Sequence, residues 1–316
     1  MKLLHEPLLT RELDPTAFVC DEGALYLHSH GPEERSLLDA AWVESQEPGV
    51  EFVQVVEKDA EEIAFAGSSV SLRDRSGILR ALGQPTAICL DITGMTYSTW
   101  APLLAAALES GTAIRVLYRE PLDYRRSENP TRGMIYDLSE KIAGIAPLPG
   151  LANLRLRAPA NSVFVPLLGF EGARLAHVIE STEPLSERVV PIVGAPGFRP
   201  EYTTQTLLGN RLTLEQDGHF SRVQFAKANC PFDLFHELVK IRQHFGRAFL
   251  RIAPVGTKPH GLGAVLFAIA RPGQAEILYD HPLRKNRRTF GQSRLCVYEV
   301  SQFAESELFS GAGDYA

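Results

Sequence analysis

The sequence predicts an α/β protein made of two Rossmann-like halves with mostly parallel sheets, the second half duplicating the first. Two observations carry that expectation. Short β-rich runs end in Gly, Pro, Asn or Thr turns and lead into helical stretches, the alternation that builds βα units on a parallel sheet. One such stretch of the first half also recurs in the second.

In the first half, residues 1–155, strands are expected at 24–29 (ALYLHS), 50–56 (VEFVQVV), 86–92 (TAICLDI) and 113–118 (AIRVLY). Helices are expected at 34–45, 75–82 and 100–110. In the second half, residues 156–316, strands are expected at 162–168, 188–193, 223–227, 248–253, 275–280 and 295–300, with helices at 172–181, 231–245 and 259–270. Residues 142–161 carry three prolines, two glycines and little charge, so they read as the linker, with a boundary near 155.

The repeat sets DITGMTYSTWAPLLAAALESGTAIRVLYREPLDYRR (91–126) against APVGTKPHGLGAVLFAIARPGQAEILYDHPLRKNRR (253–288). Gly94 to Pro121 spans 27 residues and Gly256 to Pro282 spans 26, so one gap reconciles them. Both strands close on Tyr-x-x-Pro-Leu, at Tyr118 and at Tyr279. In this alignment Met95 and Thr96 stand where the second half has Thr257 and Lys258, which leaves the first half as scaffold.

A net charge of −6 disfavours wholesale attraction to nucleic acid or membranes. The cysteines (Cys20, Cys89, Cys230, Cys296) are scattered, which suits a reducing cytoplasm rather than a disulfide framework. His5, Glu6 and Pro7 interrupt the opening residues, so no signal peptide is expected, and no apolar run is long enough to span a bilayer. His28 and His30 would share a strand face but lack a third ligand, so neither metal nor cofactor is expected. Asp91 and Thr93 suit either a catalytic acid or a helix cap. Walker A, dinucleotide and G-x-S-x-G motifs are absent, so whether the protein is an enzyme stays open.

Ligands of open parallel sheets bind beyond the carboxyl ends of the strands, which directs attention to the βα turns of the second half. These turns supply Gly169, Phe170, Gly172 and Arg174; Gly194, Phe198 and Arg199; Asn229; and Gly256, Thr257, Lys258 and His260. In GTKPH, Pro259 suits the first helical position, and the open helix start beside Lys258 attracts an anion. The alternative is a plain helix cap with a solvated lysine. The basic run 280–294, with Arg284, Lys285, Arg287, Arg288 and Arg294, either contacts phosphate, binds a nucleic-acid or protein partner, or is merely solvated.

The strand leading into LLGFEGARLAHVIE, and the later strand leading into VGTKPHGLGAVLFAIA before AEILYD, resemble the CARF domains and the related two-unit SAVED domains over residues 160–285. The resemblance implies a Rossmann-fold sensor of cyclic oligonucleotides, and carries ligand contact to Gly169, Gly172, Gly256, Thr257 and Lys258. The first half lacks the Gly-Thr-Lys turn that a SAVED layout would repeat. The expectation is a nucleotide-binding sensor or regulatory subunit of prokaryotic antiviral defence, cytoplasmic, working as a homo-oligomer or with a partner protein encoded nearby. Arg174, Arg199 and Arg284 would be its outer phosphate contacts, and Phe170 or Phe198 its base-stacking rings. The alternatives are an enzyme cleaving a nucleotide or phosphodiester, with His260 or His281 as acid or base, and a structural subunit of a multiprotein defence complex.

Overall fold

The computed structural model describes residues 9–59, 61–131, 134–151, 161–216 and 218–311. They form two compact units: 9–124 with 148–150 and 289–311 in one, 125–147 with 151 and 161–288 in the other. Both are α/β.

The first unit holds β1 (Thr10–Leu13), β2 (Leu25–His28), α1 (Ala40–Glu44), β3 (Glu51–Gln54), a meander of β4 (Val56–Glu57), β5 (Glu62–Phe65) and β6 (Ser68–Ser71), α2 (Arg75–Leu82), β7 (Ala87–Asp91), α3 (Tyr97–Ser110), β8 (Ala113–Arg119) and β9 (Asp123–Tyr124). The second holds the antiparallel pair β10 (Arg126–Thr131) and β11 (Met134–Tyr136), then β12 (Ser139–Ile142), β13 (Ala146–Pro147), β14 (Val163–Leu167), α4 (Gly172–Thr182), β15 (Ile192–Gly194), α5 (Pro200–Gly209), α6 (Arg211–Glu215), β16 (Gln224–Ala226), α7 (Pro231–His244), β17 (Leu250–Pro254), α8 (Lys258–Ala270), β18 (Ala275–Tyr279) and β19 (Pro282–Arg284). The chain then returns to the first unit for β20 (Thr289–Phe290), β21 (Leu295–Tyr298), α9 (Val300–Ala304) and α10 (Glu307–Ser310).

Each unit is organised around a six-stranded sheet. In the first, β8, β7, β2 and β3 run parallel, β21 lies antiparallel beside β8, and β1 flanks β21. In the second, β18, β17, β14, β15 and β16 run parallel, and β13 lies antiparallel beside β18. Strands covered on both faces read as unbroken apolar runs, and β7 and β14 are buried along their whole length. The helices that follow β7 and β17 are enclosed too: α3 is buried from Tyr97 to Ala107 and α8 from Lys258 to Phe267. Chain direction fixes where each sheet reverses its order. From β14 the chain moves outward through β15 and β16, then recrosses to β17 on the other side. The first unit does the same from β2 to β3 and back to β7.

Three expectations about elements are corrected. The strand expected at 295–300 is Leu295–Tyr298, and it pairs with β8 and β1 of the first unit rather than joining the second sheet. The helix expected at 34–45 shrinks to a 3-10 turn at Glu34–Ser36 and α1, because the Asp39 carboxylate accepts the Trp42 N–H and starts the helix there. Pro259 occupies the second position of α8, and Lys258 the first. The boundary near 155 lies outside the described residues. No described helix is long and apolar enough to cross a membrane.

Candidate functional site

The reversal between β14 and β17 brings together the two glycine turns singled out in the second half. A methyl group on Gly169 would lie 2.6 Å from the Val255 carbonyl oxygen and 3.0 Å from Cα of Gly256. A methyl on Gly256 would lie 2.8 Å from the Leu168 carbonyl carbon. Only bare backbone fits on either side. Gly172, the first residue of α4, presses likewise against the Gly209 carbonyl at the end of α5. Asn210 fastens this corner, donating from Nδ2 to Gly169 O at 2.6 Å and to Thr206 O at 2.8 Å.

Arg174 braces the corner from below. Its guanidinium bonds Asp280 through Nε (2.7 Å) and a terminal nitrogen (2.6 Å), and donates to Val255 O at 3.0 Å. Burial works against its charge, but the Asp280 bonds and field outweigh that and raise its pKa. The side chain expected as an outer phosphate contact is thus engaged in tying α4 to the ends of β17 and β18.

Thr257 caps α8: its hydroxyl accepts the His260 N–H at 3.3 Å and donates to Ala228 O at 3.0 Å. The His260 ring is fully enclosed, and its Nε2 donates to Lys227 O at 3.0 Å. Burial, against the pull of carbonyls 227 and 226, pushes its pKa down to about 4, so the ring is neutral near pH 7. Its Nδ1 is buried with no hydrogen-bond partner. A methyl on Gly194 would meet Cβ of Ala228 at 2.7 Å and the His260 ring at 3.7 Å. The turns after β15, β16 and β17 therefore interlock, with Asn229 half-buried in the middle one.

The burial of Lys258 is unexpected. Only 7% exposed, it stands in the first turn of α8, where the helix dipole opposes a cation. The solvated lysine of the alternative reading is not what the fold provides. Arg199 stands at the N-cap of α5 with its guanidinium 5.7 Å from the Tyr202 ring centre. Arg284 ends β19, opposite Ser139.

Sequence reasoning missed several participants. Tyr136 of β11 stacks on Phe170 with ring centres 4.3 Å apart, so one face of that ring is already covered. Glu171 accepts the N–H groups of Leu138 and Ser139 at 3.0 and 2.9 Å, holding the 136–139 segment against the start of α4. Asp280 was visible as the departure from the repeat, where YDHPL replaces YREPL.

The first unit repeats the glycine corner. A methyl on Gly31 would lie 2.8 Å from Gly94 O, and one on Gly94 2.8 Å from the Ser29 carbonyl carbon. Thr96 is the N-cap of α3 as Thr257 is of α8, which moves the gap of the repeat to the residue before the cap and makes Tyr97 the counterpart of Lys258. The Thr96 N–H donates to the Glu57 carboxylate at 2.7 Å, so the chain's own anion sits at this helix start. Asp91 is committed to buried bonds, accepting the Tyr26 hydroxyl at 2.9 Å and the Thr93 N–H at 2.9 Å. The His28 and His30 rings lie 5.4 Å apart, and no described group of three His, Cys, Asp or Glu is arranged to hold a metal.

No protein-family model matches the chain, and no curated protein matches it in sequence.

Proposed function

We propose that the βα turns after β14 and β17 bind the phosphate of a nucleotide-type ligand, and that the protein is a sensor or regulatory subunit. The observation that carries this reading is Lys258, an enclosed cation in the first turn of a helix at the point where the strand order reverses. A cation there opposes the helix dipole, whereas a bound phosphate would be attracted by both. The glycine turns pack against each other at the carboxyl ends of these strands, the place where open parallel sheets bind their ligands. The resemblance of 160–285 to CARF domains favours a cyclic oligonucleotide and a role in prokaryotic antiviral defence, in the cytoplasm, with a second copy or a partner protein as effector.

Binding without turnover is the form we favour. His260, the acid or base of the enzyme reading, is sealed from solvent and neutral near pH 7. A thermal-denaturation screen against mono-, di- and cyclic nucleotides tests the proposal, with Lys258→Met alongside. A ligand at about a hundred times its Kd should add ~2.7 kcal/mol of stability. The shift should vanish in Lys258→Met while the variant's own melt persists. A panel with no shift at all, or a shift indifferent to Lys258→Met, removes the anion-site reading.

A further inference from the structure

We infer that the arginines at 125–126 and 287–288 form one cationic surface that holds the phosphate backbone of a nucleic acid. Both repeats end in Arg-Arg, as PLDYRR (121–126) and PLRKNRR (282–288). The fold brings these ends together: the Arg125 N–H donates to Arg288 O at 2.8 Å. Like charges set opposite each other on adjacent backbone destabilise a protein, and such local violations gather at functional sites.

Neighbouring acids engage part of this surface. Glu128 pairs with Arg125 at 3.0 Å, and Asp137 with Lys285. Arg126 and Arg287 are exposed and make no ion pair among the described residues. Arg287 is also held at φ 53°, in the left-handed region that a β-carbon disfavours. Arg294, by contrast, is engaged by Glu12 and by Glu120, so the surface is not the basic run 284–294 as a whole.

The choice of arginine at all four positions selects the partner. A guanidinium fork matches phosphate oxygens two at a time, which an ammonium does not. In a chain of net charge −6 the attraction is local, so the contact should be sequence-independent and involve few phosphates. The surface is separate from the glycine turns and does not need a ligand there.

Fluorescence anisotropy with labelled single-stranded and duplex oligonucleotides of about 20 nucleotides, titrated with salt, is the test. The protein should bind at low salt and release as salt rises. Arg126→Glu with Arg287→Glu should weaken binding at least about tenfold, and Arg126→Gln with Arg287→Gln should flatten the salt slope by about one to two. Both positions are exposed, and a circular-dichroism melt checks each variant; the glutamine pair serves if the glutamate pair unfolds. No binding at low salt overturns the inference, as does binding indifferent to both double variants. Competition by polyglutamate as strong as by oligonucleotide would assign the surface to an acidic protein instead, and overturns it too.

Discussion

Gly169 and Gly256 touch backbone to backbone: a methyl on the first would sit 2.6 Å from Val255 O and 3.0 Å from the second's Cα. The atoms in the way are main chain of central strands' ends, which cannot swing aside as a side-chain tip would. Gly256→Ala should therefore cost the second unit ~1–3 kcal/mol, the usual range for forcing extra volume into a packed site. A shifted urea midpoint measures it, and an unchanged midpoint would show that the two turns can part.

Arg174 and Asp280 make the brace beneath those turns, with the Asp280 carboxylate fully enclosed. Removing one partner of a buried pair leaves the other charge uncompensated, which costs ~3–5 kcal/mol. Asp280→Ala should show that loss. Arg174→Met with Asp280→Leu should recover most of it, because no buried charge remains. A double variant as unstable as the sum of the singles would refute the pairing as the source of the effect.

How much of this was legible follows from which interactions are local. The central strands announced themselves because burial on both faces demands continuous apolar runs, as in AICLD and VFVPL. The glycine turns showed because only glycine permits such approach. The partner of 295–298 did not show, since its neighbours lie at 10–13 and 116–119, and strand character says nothing about which sheet receives it. Helix α5 escaped because it buries Tyr202, Thr206 and Gly209, a face with little apolar signal. For Arg174, residue type was readable and role was not: the carboxylate that claims it is 106 residues away.

His260 gives stability a pH dependence with a definite sign. Its pKa falls from 6.5 to about 4 on folding, so below pH 6.5 the unfolded chain binds the extra proton. Stability is retained above that value and lost as pH falls toward 4, at about 1.4 kcal/mol per pH unit for one proton. His260→Gln preserves a donor toward Lys227 O and carries no charge. Its unfolding free energy, followed by urea denaturation from about pH 6.5 down to about pH 4.5, should fall less steeply than the parent's. Parallel slopes would mean that the ring is protonated inside the folded protein.

Glu57 and Lys258 mark the divergence between the two units. Their helices begin alike, with a threonine N-cap after a glycine turn, but a carboxylate of the chain meets α3 at the Thr96 N–H, 2.7 Å away. An anion in that place is worth ~0.3–1 kcal/mol through the helix dipole. Glu57→Gln keeps a hydrogen-bond acceptor and removes only the charge, so it should lower stability by about that amount, and the difference should shrink as salt rises. A loss that persists undiminished at high salt would point to packing of the meander rather than to charge. If the salt dependence holds, the first unit carries its anion within its own sequence, whereas α8 starts on a lysine.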